Sequence, residues 1–420
     1  MLRSCASLFI NVKRLRYIIY LCYMTLMVSC TTQKIKSPWN LEQLYKTPNW
    51  RKTEKAKQEG VTSILYESSP VSGQKVEVFA YYGIPEGDTP KDGWPAVVCV
   101  HGGGGTAFHE WVKKWNKHGY AAISMDLEGH YPITEDINDK KSPRIPTENP
   151  GLTRVGTFND FEKPITEQWY YHAVAQVIHA NSLLRSFSEV NPNKIGITGI
   201  SWGGILTSTV IGLDNRFKFA IPVYGCGFLP DSDGLQGENI KPGKYTEFVN
   251  LNYDGSAYFN NVRIPTLWIN GTNDKHFPLL STQKSAQAVN GEVTKYYKLN
   301  MPHGHYAGWK PKEIYAFANS IVKGDKALIE IEKPQIKLHV IQVEFHTTST
   351  VKSANLVYTK DSGKWVNRHW QKVPATILNP QIKAEIPKDA ILGFIEVMDG
   401  EGLMVSSEFI QLNKDNNTKN

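Results

Sequence analysis

The chain has 420 residues, 41% of them hydrophobic and 11% aromatic, enough to bury one large core or two smaller ones. Its formal charge of +7 does not point to nucleic acid: Arg3, Lys13, Arg14 and Arg16 all lie in the N-terminal segment, and the rest of the chain, at about +3, holds no basic cluster. No Cys/His spacing suits a zinc site, so neither a metal nor a nucleic-acid partner is expected.

Residues 1–29 read as an export signal, with basic residues and no acid ahead of the apolar run YIIYLCYMTLMVS. That run is too short to span a bilayer easily. Val28 and Ser29 then precede Cys30, which resembles a bacterial lipoprotein signal, with cleavage before Cys30 and lipid on its sulfur. The resemblance implies an exported lipoprotein anchored to the outer membrane, on its periplasmic or outer face; a plain signal peptide or a short anchor is the alternative. Cys99, in a predicted buried strand, and Cys226, in a later loop, are expected to be free buried thiols.

Residues 30–60 are polar and lysine-rich and read as a tether with a short helix. From residue 61 to 326 strands and helices alternate. VTSILYE and KVEVFAYYGIP alternate as antiparallel strands do. WPAVVCV, YAAISMDL, NKIGITGI, FKFAIPVYG, TLWINGTND and VTKYYKLN are continuous apolar runs, the pattern of strands buried on both faces. Helical segments are predicted over 108–118, 164–188, 203–213, 280–290 and 311–322. This is an α/β fold, a mostly parallel sheet covered by helices on both faces. The stretch 131–160 is long, rich in Pro, Asn and Asp, and without period, as functional loops are. From 327 to 412 short alternating runs and turn signals predict an antiparallel β-sandwich of immunoglobulin-like type, and 413–420 reads as a disordered tail. Trp365 and Trp370 in that sandwich are either core residues or a sugar platform.

Gly199-Ile200-Ser201-Trp202-Gly203 follows a buried strand and opens a helix. A serine there occupies a strained turn, and glycines at the flanking positions avoid clashes with strand and helix. A serine hydroxyl is a weak nucleophile. It needs a base, and the base needs an orienting carboxylate. At such an elbow the acid and then the histidine follow in chain order. Asp274 closes one predicted strand and His303 follows the next, so Ser201, Asp274 and His303 are the candidate catalytic residues. His305 is the alternative base, and Asp254 the next acid to consider. The run His101-Gly102-Gly103-Gly104-Gly105 follows the first buried strand, where bare backbone N–H groups can approach a developing oxyanion. Gly103, Gly104 and Trp202 are the expected donors, with His101 as a brace. No Gly-Lys-Ser/Thr follows the glycines, which excludes a phosphate loop. His109, Trp202 and Trp309 are candidate walls of a substrate pocket.

The motifs VCVHGGGG, MDLEGH, GISWGG, GTND and MPHGH stand in the order and approximate spacing of α/β-hydrolases. WYYHAVAQVIHANSLLRS through NKIGITGISWGG resembles the branch of acetyl xylan esterases, dienelactone hydrolases and prolyl-oligopeptidase-like proteins. The resemblance covers roughly residues 60–325 and leaves out the C-terminal sandwich. It implies ester hydrolysis through an acyl-enzyme, without metal or other cofactor, on an acylated carbohydrate or another small ester. The chain departs from dienelactone hydrolases in having Ser201 where a cysteine would stand, and from prolyl oligopeptidases in lacking a propeller-sized segment. Two other readings compete with the esterase: a serine peptidase, and a non-catalytic carbohydrate-binding lipoprotein on the same scaffold.

Overall fold

The continuous apolar runs form the centre of a nine-stranded sheet in the order β1-β2-β3-β5-β4-β8-β9-β10-β11. The strands are β1 (Trp50–Lys52), β2 (Thr62–Val71), β3 (Gln74–Gly83), β4 (Trp94–Val100), β5 (Ala121–Met125), β8 (Val190–Ile200), β9 (Ala220–Val223), β10 (Thr266–Gly271) and β11 (Val293–Lys298); β6 (His130–Thr134) and β7 (Arg144–Pro146) form a separate hairpin. From β5 to β11 neighbouring strands are parallel, and β1, β2 and β3 add an antiparallel edge. Every residue of β5, β9 and β10 is buried, which requires cover on both faces of the sheet. Among the described residues six helices of nine residues or more lie between or after these strands: α1 (His109–Lys117), α2 (Trp169–Leu184), α3 (Trp202–Leu213), α4 (Lys244–Asn252), α5 (Leu279–Ala288) and α6 (Glu313–Val322). The computed structural model describes residues 37–136, 142–240 and 242–412, which belong to one compact unit, 37–420. The signal segment 1–29, Cys30 and the tail 413–420 lie outside the described residues.

Part of the expected tether is built into the body. Trp39 is buried and donates its indole N–H to Tyr171 O at 2.8 Å, and β1 pairs with β2. An aromatic ring with an apolar slot beside α2 holds the segment where polar composition alone suggested a free chain. Cys99 and Cys226 are free and buried, as expected.

Two antiparallel sheets follow, formed between Glu330 and Gln411. Their longest pairing joins Val351–Thr359 to Leu392–Asp399. Among the short runs of this region, WVNRHW forms a 3-10 turn at Trp365–Asn367, and a strand begins only at Trp370. Trp365 and Trp370 are core residues. They pack with Val357, Leu392, Phe394 and Phe409 of these sheets and with Leu279 of α5 and Tyr297 of β11. The cluster thus joins the C-terminal sheets to the edge of the parallel sheet.

Candidate active site

Ser201 lies between β8 and α3 with φ 59° and ψ −116°, a left-handed backbone that side chains rarely adopt. Its N–H donates to Val223 O on β9 at 2.9 Å. The close packing behind it explains the glycines. A Cβ on Gly203 would stand 2.0 Å from Val100 O, and one on Gly199 would stand 2.0 Å from Gly203 O. Strand, turn and helix can approach only with bare backbone at both positions, and the turn then lifts the hydroxyl clear of the sheet.

His303, beyond β11, and Asp274, beyond β10, reach the serine from separate loops. His303 Nε2 is 2.9 Å from Ser201 Oγ, and its Nδ1 is 2.5 Å from Asp274 Oδ2. A carboxylate only accepts, so the neutral ring carries its proton on Nδ1 and leaves Nε2 free to accept the serine proton. Asp274 is itself fixed: its side chain is fully buried, and Oδ1 accepts the backbone N–H of His276 and of Phe277, each at 2.8 Å. Tyr224 packs its ring at a tilt 4.5 Å from that of His303 and donates its hydroxyl to Pro302 O, bracing the histidine loop.

The second histidine has a different place. Gly102 N–H donates to His305 Nε2 at 2.8 Å. Burial, then His101 and His303, push the pKa of His305 down to about 4, so the ring is a neutral acceptor near pH 7. His305 holds the glycine loop and His303 meets the serine. His101 braces the same loop, donating from Nδ1 to Gly102 O and accepting Leu127 N–H at Nε2. Asp254 spends its carboxylate on the backbone N–H groups of Phe228, Leu229 and Ser256, so it caps a loop.

Among the described residues the N–H groups of Gly103 and Trp202 form no hydrogen bond, and both residues stand with Ser201 on the wall of a cavity of about 740 Å³. These two N–H groups are placed to receive a negative oxygen beside the serine. Gly104 is not on that wall. It turns at φ +71°, and Gly103 and Trp202 are the two expected donors that border the cavity with Ser201.

The remaining wall comes from two regions. The long loop supplies Arg154, Thr157, Asn159 and Phe161, and the segment after β9 supplies Leu235, Gln236, Asn239 and Tyr245. Phe161 and Tyr245 stack at 4.4 Å. His276 completes the wall, its ring 4.4 Å from that of His303. Burial first, and His303 second, hold its pKa at about 4, so it adds no positive charge beside the base near neutrality. The sequence reading leaves His276 unnamed, and its place two residues beyond Asp274 is the one signal for it. The segment after β9 has no comparable motif.

His109 and Trp309 are absent from the cavity wall. His109 packs edge-on against Tyr81 at 5.6 Å, and Trp309 is buried against Phe108 and Trp111. Both serve packing, because the apolar surface around α1 absorbs them. Among the described residues no group of three or more His, Cys, Asp or Glu side chains is arranged to hold a metal ion.

The family model of acetyl xylan esterases matches residues 40–234, and that of the prolyl oligopeptidase family matches residues 150–321. An uncharacterized peptidase, YuxL, of Bacillus subtilis (strain 168) is 25% identical over 141 residues, which are 32% of this chain and 17% of that protein. The match thus spans less than a fifth of that relative's length. Among solved structures, an acetyl xylan esterase from Paenibacillus sp. R4 aligns at 19% identity and TM-score 0.49, over 63% of this chain and 87% of that one. Acetyl xylan esterase 1 from Thermoanaerobacterium sp. JW/SL YS485 aligns at 14% identity and TM-score 0.46, over 65% of this chain and 90% of that one. The acylaminoacyl peptidase of Pyrococcus horikoshii aligns at 18% identity and TM-score 0.47, over 65% of this chain and 44% of that one. The chain has an α/β-hydrolase fold and is similar to the acetyl xylan esterase and prolyl oligopeptidase families, each model matching just under half of it.

Proposed function

We propose that this protein is a serine hydrolase that cleaves short-chain acyl esters, acetyl esters of a carbohydrate foremost, through an acyl-enzyme on Ser201. The hydrogen-bonded chain Ser201–His303–Asp274 at the wall of an open cavity carries the reading. Ser201 Oγ attacks the ester carbonyl carbon as its proton passes to His303 Nε2. The carbonyl oxygen, now negative, is held by the N–H groups of Gly103 and Trp202. Collapse breaks the bond to the alcohol, which leaves with the proton from His303. Water then gives a proton to His303 and attacks the acyl carbon, releasing the carboxylic acid and restoring Ser201. Asp274 keeps the ring in the productive tautomer and stabilises it when doubly protonated.

The acetyl xylan esterase family match and the uncharged polar wall of Thr157, Asn159, Gln236 and Asn239 favour a sugar-bearing ester. The prolyl oligopeptidase match keeps a peptidase as the second reading. A peptidase that grips a free peptide amine needs a carboxylate near the nucleophile, and among the described residues none stands on this wall. We further propose export and lipid attachment at Cys30, with the membrane as partner through that anchor; residues 1–30 alone support this.

The test compares the wild type with Ser201→Ala. A fluorophosphonate should label only the wild type, and only the wild type should release acetate from acetylated xylan and 4-nitrophenol from its acetate. Labelling without hydrolysis of either substrate would sink the ester reading, and absence of labelling would sink the nucleophile.

A further inference from the structure

We propose that the substrate carries a carboxylate close to the scissile ester and that Arg154 binds it. This rests on the esterase reading and names the class of ester. Among the described residues Arg154 is the one Arg, Lys, Asp or Glu side chain on the cavity wall. Its guanidinium lies over the indole of Trp202, with Cζ 5.0 Å from the ring centre. Stacking of this kind fixes the plane of the fork.

The hydrogen bonds of that fork are largely unspent. Nη1 donates to Gly156 O at 2.7 Å. Nε is buried without a hydrogen-bond partner, 3.8 Å from Glu128 Oε1. Glu128 is shared: its other oxygen lies 3.7 Å from Arg144, which pairs more closely with Asp126 at 2.6 Å. Nη2 makes no hydrogen bond among the described residues, and it stands 3.2 Å from where a Cβ on Gly103 would be. A free cationic edge therefore borders the residue whose N–H faces the reacting oxygen.

A bound substrate strips water from this edge. A neutral substrate leaves Nη2 dehydrated without a strong acceptor, which is unfavourable. A carboxylate replaces the water with a charge-assisted hydrogen bond in the planar geometry a guanidinium prefers. The carboxylate can belong to the acyl part or to an acidic sugar, and two substrate pairs separate these sources. One pair is mono(4-nitrophenyl) succinate against 4-nitrophenyl pentanoate. The other is acetylated methyl glucuronide against acetylated methyl glucoside.

In one of the pairs the charged member should have a kcat/KM higher by roughly tenfold at low ionic strength, with the preference shrinking as salt is added. In Arg154→Gln the charged-to-neutral ratio should fall to about one, and Arg154→Lys should keep part of it. A binding arm works without turnover: glucuronate, and not glucose, should slow fluorophosphonate labelling of Ser201 in the wild type and lose that effect in Arg154→Gln. Equal rates within both pairs, or a preference undiminished in Arg154→Gln, overturn the proposal. So does equal protection by glucuronate and glucose when none of the four esters is cleaved. Labelling without cleavage of any ester, but with glucuronate protection that needs Arg154, instead overturns the esterase reading and keeps the anion site.

Discussion

Two histidines two residues apart have opposite tasks because different atoms meet their Nε2. His303 accepts from a hydroxyl and donates its Nδ1–H to a carboxylate that stays charged, so a proton arriving at Nε2 is stabilised where it is needed. His305 accepts from a backbone N–H in a buried site, and there protonation would break the bond it makes. His303→Ala should therefore lower kcat by about 10⁴ or more, as the loss of a triad member does elsewhere. His305→Ala should leave the serine reactive and lower kcat/KM by roughly 10- to 100-fold, through a loosened glycine loop. Steady-state kinetics on 4-nitrophenyl acetate separates the two. If His305→Ala proves as damaging as His303→Ala, His305 has a role in proton transfer that its contacts do not reveal.

At the scale of elements, three loops must converge, and a relay of hydrogen bonds ties two of them to a third party. Asn300 N–H, leading into the His303 loop, donates to Thr272 Oγ1. Thr272 donates to Asn273 Oδ1, and Asn273 Nδ2 donates to the carbonyls of Val366 and Arg368 at the 3-10 turn that precedes the strand at Trp370. The acid loop and the base loop thus share one anchor outside the parallel sheet. Asn273→Ala should lower kcat by roughly 10- to 100-fold, the cost of a slight misplacement, with KM and the urea midpoint nearly unchanged. An unchanged kcat would show that β10 and β11 fix both loops unaided. The same elements divide what could be read in advance from what could not. The buried strands, the elbow at Ser201 and the order of Asp274 and His303 follow from local patterns: apolar runs, paired glycines and strand exits. The cavity wall does not, because Arg154 and Asn159 lie in a long stretch without period, and Gln236 and Tyr245 on short helices for which the sequence carries no clear pattern. Their meeting depends on how these segments settle over the sheet. His109 and Trp309 misled for the converse reason: polarity and size do not say which side of a helix faces the cleft.

The whole molecule holds together through an interface of tryptophans and reciprocal backbone bonds. Trp365, Trp370, Phe394 and Phe409 bury Tyr297 and Leu279. Gln283 of α5 both accepts from Phe409 N–H and donates to Phe409 O, while Tyr297 N–H donates to Ser406 Oγ. Parts joined this way should unfold together. Acid offers the sharpest test, because the histidines with lowered pKa lie outside the C-terminal sheets. Burial holds His179, His276 and His305 at about 4 and lowers His101 and His172. In the unfolded chain these rings take protons near pH 6.5, so the stability they confer is complete above that value and is lost as pH falls towards 4. Carboxylates do not account for the upper part of this window. Glu77, drawn down to about 2 chiefly by its hydrogen bond from Arg51, loses its contribution only below its ordinary value of 4.5. The urea midpoint should therefore fall steadily from pH 7 to pH 5, with far-ultraviolet dichroism and tryptophan fluorescence following one transition throughout. A midpoint flat over that range would mean the buried rings do not resist protonation. Two transitions parting at low pH would mean the C-terminal sheets stand without the body they grip.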